Sequence, residues 1–311
     1  MPLYILKRFI MMIVTILIIA TLTFVLMRAI PGSPFDEERT SNPTIQANLE
    51  KFYKLDQPMP IQYLNYLKSI VTFDYGPSIK KPNESVNTLL SRGFPISFEL
   101  GIATMIVAVL SGIVLGTFAA LRHNGIIDYG AMTFAVIGIS IPNFVLATLL
   151  IQQVAVNWGW LPPATWSSPK HMILPVIALA TGPTAIIARL TRASMLEVLT
   201  QDYIKMARAK GLTPFRIVAR HALRNALMPV VTIMGTMLAG ILTGTFVIEK
   251  IFAIPGMGKY FVESINNRDY PVIMGSTVFY SAFLVFMLFV VDILYGFLDP
   301  RIKLHKKEGE V

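Results

Sequence analysis

QDYIKMARAKGLTPFRIVARHALRNALMP, at residues 201–229, sorts this chain into its structural class. It is the longest polar interruption in the C-terminal two thirds, and the runs on both sides are apolar and long enough to cross a bilayer. The pattern predicts a helix over 203–210. Gly211 then stands where a helix ends in a left-handed residue, a conformation glycine adopts without strain. Thr213 and Pro214 read as an N-cap followed by proline at the first helical position. A second helix over 215–227 sets Phe215, Val218, Ala222 and Ala226 on one face. Arg216, Arg220 and Arg224 recur every four residues on another. Small residues, Ala207, Ala209 and Gly211, line the turn, and Tyr203 and Arg208 flank them.

Composition places this hairpin in a membrane protein. Of 311 residues, 54% are hydrophobic and 14% charged, with a mean hydropathy of +0.60. A soluble domain carries about 25% charged residues. One globular core cannot hide this much apolar surface, so the expected class is an all-α polytopic membrane protein. There is no cysteine, hence no disulfide framework, thiolate chemistry or iron–sulfur ligation. His123, His171, His221 and His305 are scattered without metal-ligand spacing.

Six apolar runs can be traced. The first is 9–27, preceded by Lys7 and Arg8; it exceeds the ~7–15 residues of a signal-peptide core. The segment 31–95 is polar, balances seven Lys/Arg against seven Asp/Glu, and holds two short amphipathic candidates. It reads as an external subdomain or lid, or as a loop of surface helices. The second span, 96–121, carries Ala108, Gly112, Gly116 and Ala120 every four residues, a stripe that lets a neighbouring helix backbone approach. The third, 129–156, has Pro142 and Asn143 at its middle. A proline there frees a backbone carbonyl, and Asn143 either lines a pathway or holds helices together. All three tryptophans fall at 157–171, as an interfacial aromatic belt does. The fourth span, 172–190, is expected to be interrupted at Pro175 and at Gly182-Pro183. The fifth, 228–248, has Gly240 and Gly244 as close-packing positions. The sixth is 272–298, with Asp292 expected to cap, to pair with Arg301 or to meet lipid headgroups.

Charge orients these spans. Residues 189–224 carry eight Lys/Arg against two acids, and four more basic residues follow from Arg301 onward. The loop 157–171 has one Lys, and 249–271 balances three against three. By the positive-inside rule both termini and the hairpin are cytoplasmic. This distribution also accounts for the net charge of +9 without nucleic acid.

Three readings of the hairpin compete. It rests on anionic lipid headgroups; it is a DNA-binding helix-turn-helix, against which stands the lack of a third helix and of a soluble core; or it docks a cytoplasmic partner. ARAKG at 207–211 followed by LMP at 227–229 resembles the EAA loop of ABC importer permeases, with Met206-Ala207-Arg208 where the general pattern has Glu-Ala-Ala. The runs GISIPNF at 138–144, VIEKIFAIPGMG at 247–258, NRDYPVIMG at 267–275 and VDILYGFLDPR at 291–301 extend the resemblance over nearly the whole chain. They are similar to the B-type permease of oligopeptide/dipeptide importers.

That resemblance implies a division into a first transmembrane helix (1–30), an external lid (31–95), a five-helix permease core (96–301) with a cytoplasmic coupling loop (191–228), and a cytoplasmic tail (302–311). It implies that Tyr203, Ala207, Arg208, Ala209, Gly211 and Arg216 contact an ATPase, and that the protein sits in the bacterial cell membrane. The implied partners are a homologous second permease, two ATP-binding subunits, an extracytoplasmic peptide-binding protein and the lipid bilayer. The implied cargo is an oligopeptide, with dipeptide, nickel or glutathione as alternatives. No cofactor is expected on this chain; ATP and Mg belong to the partner subunits. The residues themselves offer no enzyme chemistry. AIPGMGKY at 253–260 lacks the first glycine and the Ser/Thr of a phosphate loop, and no GxSxG occurs. An ion-coupled carrier is expected to hold paired ionisable groups at the midplane, where none stands here.

Overall fold

The computed structural model describes residues 2–29, 43–81, 83–243 and 245–298. Gly244, the tail at 302–311, Arg301 and the start of the expected lid at 31–42 lie outside these residues. Helix dominates, and among the described residues the β pairing is an isolated bridge between Pro77 and Ser85.

Four helices are long and apolar enough to cross a membrane: Leu3–Ala29, Val86–Leu121, Lys170–Leu199 and Tyr270–Ile293. Two bent helix pairs raise the number to six if each pair is one span. Helix α1 is Pro2–Ala29, followed by the short α2, Pro43–Phe52, and α3, Met59–Thr72. Helix α4, Val86–Leu121, begins ten residues before the expected start at 96. Ser85 explains the early start: its Oγ accepts from the Thr88 backbone N–H at 3.1 Å, an N-cap bond. Pro95 is absorbed inside the helix.

The third apolar run is not a straight span. Helix α5, Ile126–Ser140, and α6, Asn143–Leu150, with its π-helical continuation Ile151–Asn157, meet at 102°. Ile141, held at φ −86° and ψ 119°, is extended, as a residue before proline is driven to be. By contrast α7, Lys170–Leu199, runs unbroken through Pro175 and Pro183, where interruption was expected.

The basic hairpin comprises α8, Asp202–Ala209, then α9, Pro214–Arg216, a π-helical turn Ile217–Ala222, and α10, Leu223–Ala226. Helix α11, Met228–Thr243, leaves it at a 54° bend. The chain closes with α12, Phe246–Ile251, α13, Met257–Asn266, and α14, Tyr270–Leu298.

Two compact units form. One holds residues 1–96 and 256–296; the other holds 97–255. Helix α14, up to residue 296, falls in the first of these units. Within the first unit, Ala20, Phe24, Tyr66 and Val278 make a buried cluster. Asp292 pairs with Arg8 at 3.0 Å. Asp269, which is buried, receives the Ser78 hydroxyl and the backbone N–H groups of Ile79 and Lys80, each of these two at 3.2 Å. Within the second unit, Ala108, Ala180, Ile187 and Val230 knit α4, α7 and α11 together.

Candidate functional site

The turn of the hairpin is a complete Schellman motif. Gly211 has φ +76°. Its N–H bonds to the Arg208 carbonyl at 2.9 Å, and the Leu212 N–H reaches back to the Ala207 carbonyl at 3.3 Å. Thr213 and Pro214 occupy the N-cap and first helical positions, but the Thr213 hydroxyl makes no capping bond. An added Cβ at Gly211 would meet nothing within 4 Å, so this glycine is required for its backbone angle and not for space inside the chain.

Two expected roles change in the structure. Ala207 does not line an open turn: it is 7% exposed, in a cluster with Ala120, Met195, Ile204, Ile217 and Ala222. The π-helical turn shifts the register of the second arm. Ile217, Ala222 and Ala226 face the cluster, whereas Phe215, expected on that face, is 82% exposed. The surface that remains open carries Tyr203, Arg208, Ala209, Gly211, Phe215 and Arg216. Arg220 and Arg224 are exposed as well. Phe215 thus stands as a bare aromatic ring among cations and small residues.

The hairpin stands on a close-packed base. A Cβ at Gly112 would lie 2.7 Å from the Ile187 Cβ and 2.9 Å from the Thr184 carbonyl. One at Gly116 would strike the Ala188 carbonyl oxygen and come 2.7 Å from the Thr191 Cβ. Ala108 and Ala120 are buried on the same stripe. At Gly240 an added Cβ would meet nothing within 4 Å among the described residues. Pro142 and Asn143 are exposed at the α5–α6 bend, and the Pro142 carbonyl accepts from the N–H groups of Val145 and Leu146 at 3.0 and 3.1 Å.

Sequence reasoning missed two polar ties. Asn225 donates to the Tyr203 hydroxyl at 2.7 Å and joins the hairpin's two arms. Asp128, 1% exposed, is gripped by Arg192 of α7 through Nε and Nη2 at 2.5 and 2.7 Å. It also accepts from the Asn124 backbone N–H at 2.9 Å, with His123 Nδ1 at 3.2 Å. The one available signal was an acid inside the apolar run that opens at Ile126. Among the described residues no cluster of three or more His, Asp or Glu is placed to hold a metal.

Fold and composition together define a helical membrane protein whose hairpin exposes polar and basic residues. The chain belongs to the family of binding-protein-dependent transport system inner membrane components, whose profile matches residues 112–304. The N-terminal profile of such membrane components matches residues 1–100. The chain is 70% identical, over 304 residues, to the dipeptide transport system permease protein DppB of Bacillus subtilis strain 168, covering 98% of this chain and 99% of that one. It is 44% identical, over 302 residues, to the oligopeptide transport system permease protein OppB of Escherichia coli K12, covering 96% and 99%. Among solved structures, an inward-facing MetNI methionine ABC transporter aligns with a TM-score of 0.56 at 20% identity, over 68% of this chain and 96% of that chain. At that identity the likeness speaks for the fold alone.

Proposed function

We propose that this chain is the membrane-spanning permease subunit of an ATP-driven, binding-protein-dependent peptide importer. The observation that carries the reading is 70% identity to a dipeptide permease over nearly the full length of both chains. The exposed hairpin supports it. A bundle with no phosphate-binding loop of its own needs energy from outside, and Tyr203, Arg208, Gly211 and Arg216 form a surface through which an ATP-binding subunit can push. The assembly proposed is this chain, a homologous second permease, two ATP-binding subunits and an extracytoplasmic peptide-binding protein. This chain contributes no hydrolytic residue.

Peptide length is a finer matter. The 70% relative favours dipeptides, against the oligopeptide cargo expected from the sequence. Similarity does not sort by length across the family, however: a Lactococcus lactis DppB is 40% identical, below the 44% of the Escherichia coli OppB. The test is uptake of labelled dialanine, a pentapeptide, glutathione and nickel by a strain lacking this chain and by its complemented twin, with and without ATP depletion. ATP-dependent return of a peptide supports the reading, and the peptide that returns sets the length class. Return of nickel or glutathione alone refutes the peptide assignment. Uptake that collapses with a protonophore at constant ATP refutes ATP drive.

A further inference from the structure

In the unit formed by residues 1–96 and 256–296, a cleft of about 170 Å³ opens between the end of α1, helix α3 and the first turn of α14. It is far above the ~10–15 Å³ that admits one water and below the ~300–1,000 Å³ of sites for drug-sized ligands. Among the described residues its charge is one-sided: Arg28 and Lys54 line it, and no Asp or Glu does. The Arg28 guanidinium lies 5.6 Å from the Phe24 ring centroid, within cation–π range, so an aromatic face supports the cation beside the cleft.

The wall also holds polar atoms that the chain leaves without partners. The Tyr66 and Tyr270 hydroxyls and Gln62 Oε1 are sealed from solvent and accept or donate no hydrogen bond. Tyr66 and Tyr270 are 8% and 7% exposed. Gln62 is oriented without ambiguity: its amide nitrogen donates to the carbonyls of Leu55 at 3.0 Å and Gln57 at 2.6 Å, so the orphan is the acceptor oxygen. Buried polar groups are normally satisfied, and three on one wall call for a ligand. Ordered water would satisfy hydroxyls, but it gives no reason for two cations, Arg28 and Lys54, in the same lining.

We propose that this cleft binds the carboxyl-terminal residue of a short peptide. The α-carboxylate meets Arg28 and the tyrosine hydroxyls. The preceding amide N–H meets Gln62 Oε1. An apolar side chain lies against Leu55, Ile79 and Met274, which line the same cleft. Because the three orphan atoms are sealed in this form, binding requires side-chain rotation to uncover them, so the site closes around its ligand.

The proposal rests on the peptide-import reading, but binding to the resting assembly is scored apart from uptake. Loss of peptide-dependent uptake sinks that reading; loss of the binding pattern below sinks only this one. The assembled transporter, without its binding protein, is placed in phosphatidylcholine nanodiscs. Labelled Ala-Phe, Ala-Phe amide and acetyl-Phe are measured by equilibrium dialysis. Ala-Phe and acetyl-Phe are expected to bind alike, and the amide roughly tenfold or more weaker, the loss of a charge-assisted bond. Arg28→Gln should weaken Ala-Phe by about tenfold or more, and Tyr270→Phe, which removes a single oxygen, by about two- to tenfold. Melting temperatures report that both variants fold. Equal binding of acid and amide, or full binding by Arg28→Gln, overturns the proposal. So does absence of any binding, which leaves water as the occupant. Displacement of Ala-Phe by added phosphatidylglycerol in wild type, but not in Arg28→Gln, also overturns it, in favour of a lipid headgroup.

Discussion

Replacing Asp128 by alanine is the most demanding test of how the hairpin's base is held. The carboxylate is 1% exposed and collects two bonds from Arg192, one from the Asn124 backbone and a contact with His123. Its removal leaves the Arg192 guanidinium beside a void. Breaking a buried pair from one side costs about 3–5 kcal/mol. The Arg192 side chain retains 24% of its exposure and can recruit solvent or a headgroup, so the cost is discounted below that range, to about 2–3 kcal/mol. At roughly 2–4 °C per kcal/mol for chains of this order of size, the transporter should melt roughly 5–10 °C lower. The assay is thermal unfolding of the purified assembly followed by size-exclusion fluorescence. The companion variants are Arg192→Ala and the double alanine. If the pair acts as one unit, the double variant should be no worse than Asp128→Ala, because no stranded charge remains. A shift below about 1 °C in Asp128→Ala, or strict additivity in the double variant, would refute the reasoning.

Three further outcomes follow from the same geometry. Gly211→Val should insert and assemble normally yet lose most transport: the left-handed residue costs a side chain about 1–2 kcal/mol, no atom of this chain lies within 4 Å to clash, and the added bulk sits on the exposed turn. Normal uptake by that variant contradicts the contact-surface reading. Gly116→Val should lower stability by about 3 kcal/mol, since the Ala188 carbonyl and the Thr191 Cβ belong to the opposing helix and cannot yield; the check is protein yield and melting temperature, and near-wild-type values contradict the packing. Asp269→Ala should cost about 2–3 kcal/mol by freeing Ser78 and the N–H groups of Ile79 and Lys80, read as faster proteolysis between residues 73 and 85 and unaltered proteolysis of the hairpin.

Local signals were legible and long-range ones were not. Gly211 and Pro214 announce the turn because each acts through its own backbone angle, which no distant residue has to supply. The stripe at Ala108, Gly112, Gly116 and Ala120 is legible for a similar reason: four small residues in register have a common face whatever they meet. The partner of that face, Ile187 and Ala188 on α7, was not legible, because composition alone does not select among apolar helices. Pro142 was seen, but its effect on Ile141 turns an interruption into a 102° bend, and the size of a bend depends on what the second arm packs against. The π-helical turn at Ile217–Ala222 defeats 3.6-residue periodicity itself, which is why the spacing groups Phe215 with Ala222 and Ala226 while the structure puts Ile217 beside them. Asp128 and Arg192 are 64 residues apart, and no spacing rule joins them.

These ties bear on how a push at the hairpin would travel. Helix α8 is fixed to the second arm by Tyr203 and Asn225, and both arms share one apolar cluster with Ala120 of α4 and Met195 of α7. One turn earlier on α7, Arg192 grips Asp128 of α5. Side-chain contacts therefore link the hairpin to α7, and α7 to the base of α5. The first place where backbone bonding is interrupted along that route is the α5–α6 bend at Ile141 and Pro142. The expectation is that motion is absorbed there. Spin labels at Phe215 and at Asn143 should then report different changes on ATP binding: translation of a rigid hairpin at the first, and a change of local mobility at the second. In Asp128→Ala the hairpin signal should persist while the signal at Asn143 fades. If both persist unchanged, the ion pair holds the structure together without carrying the movement.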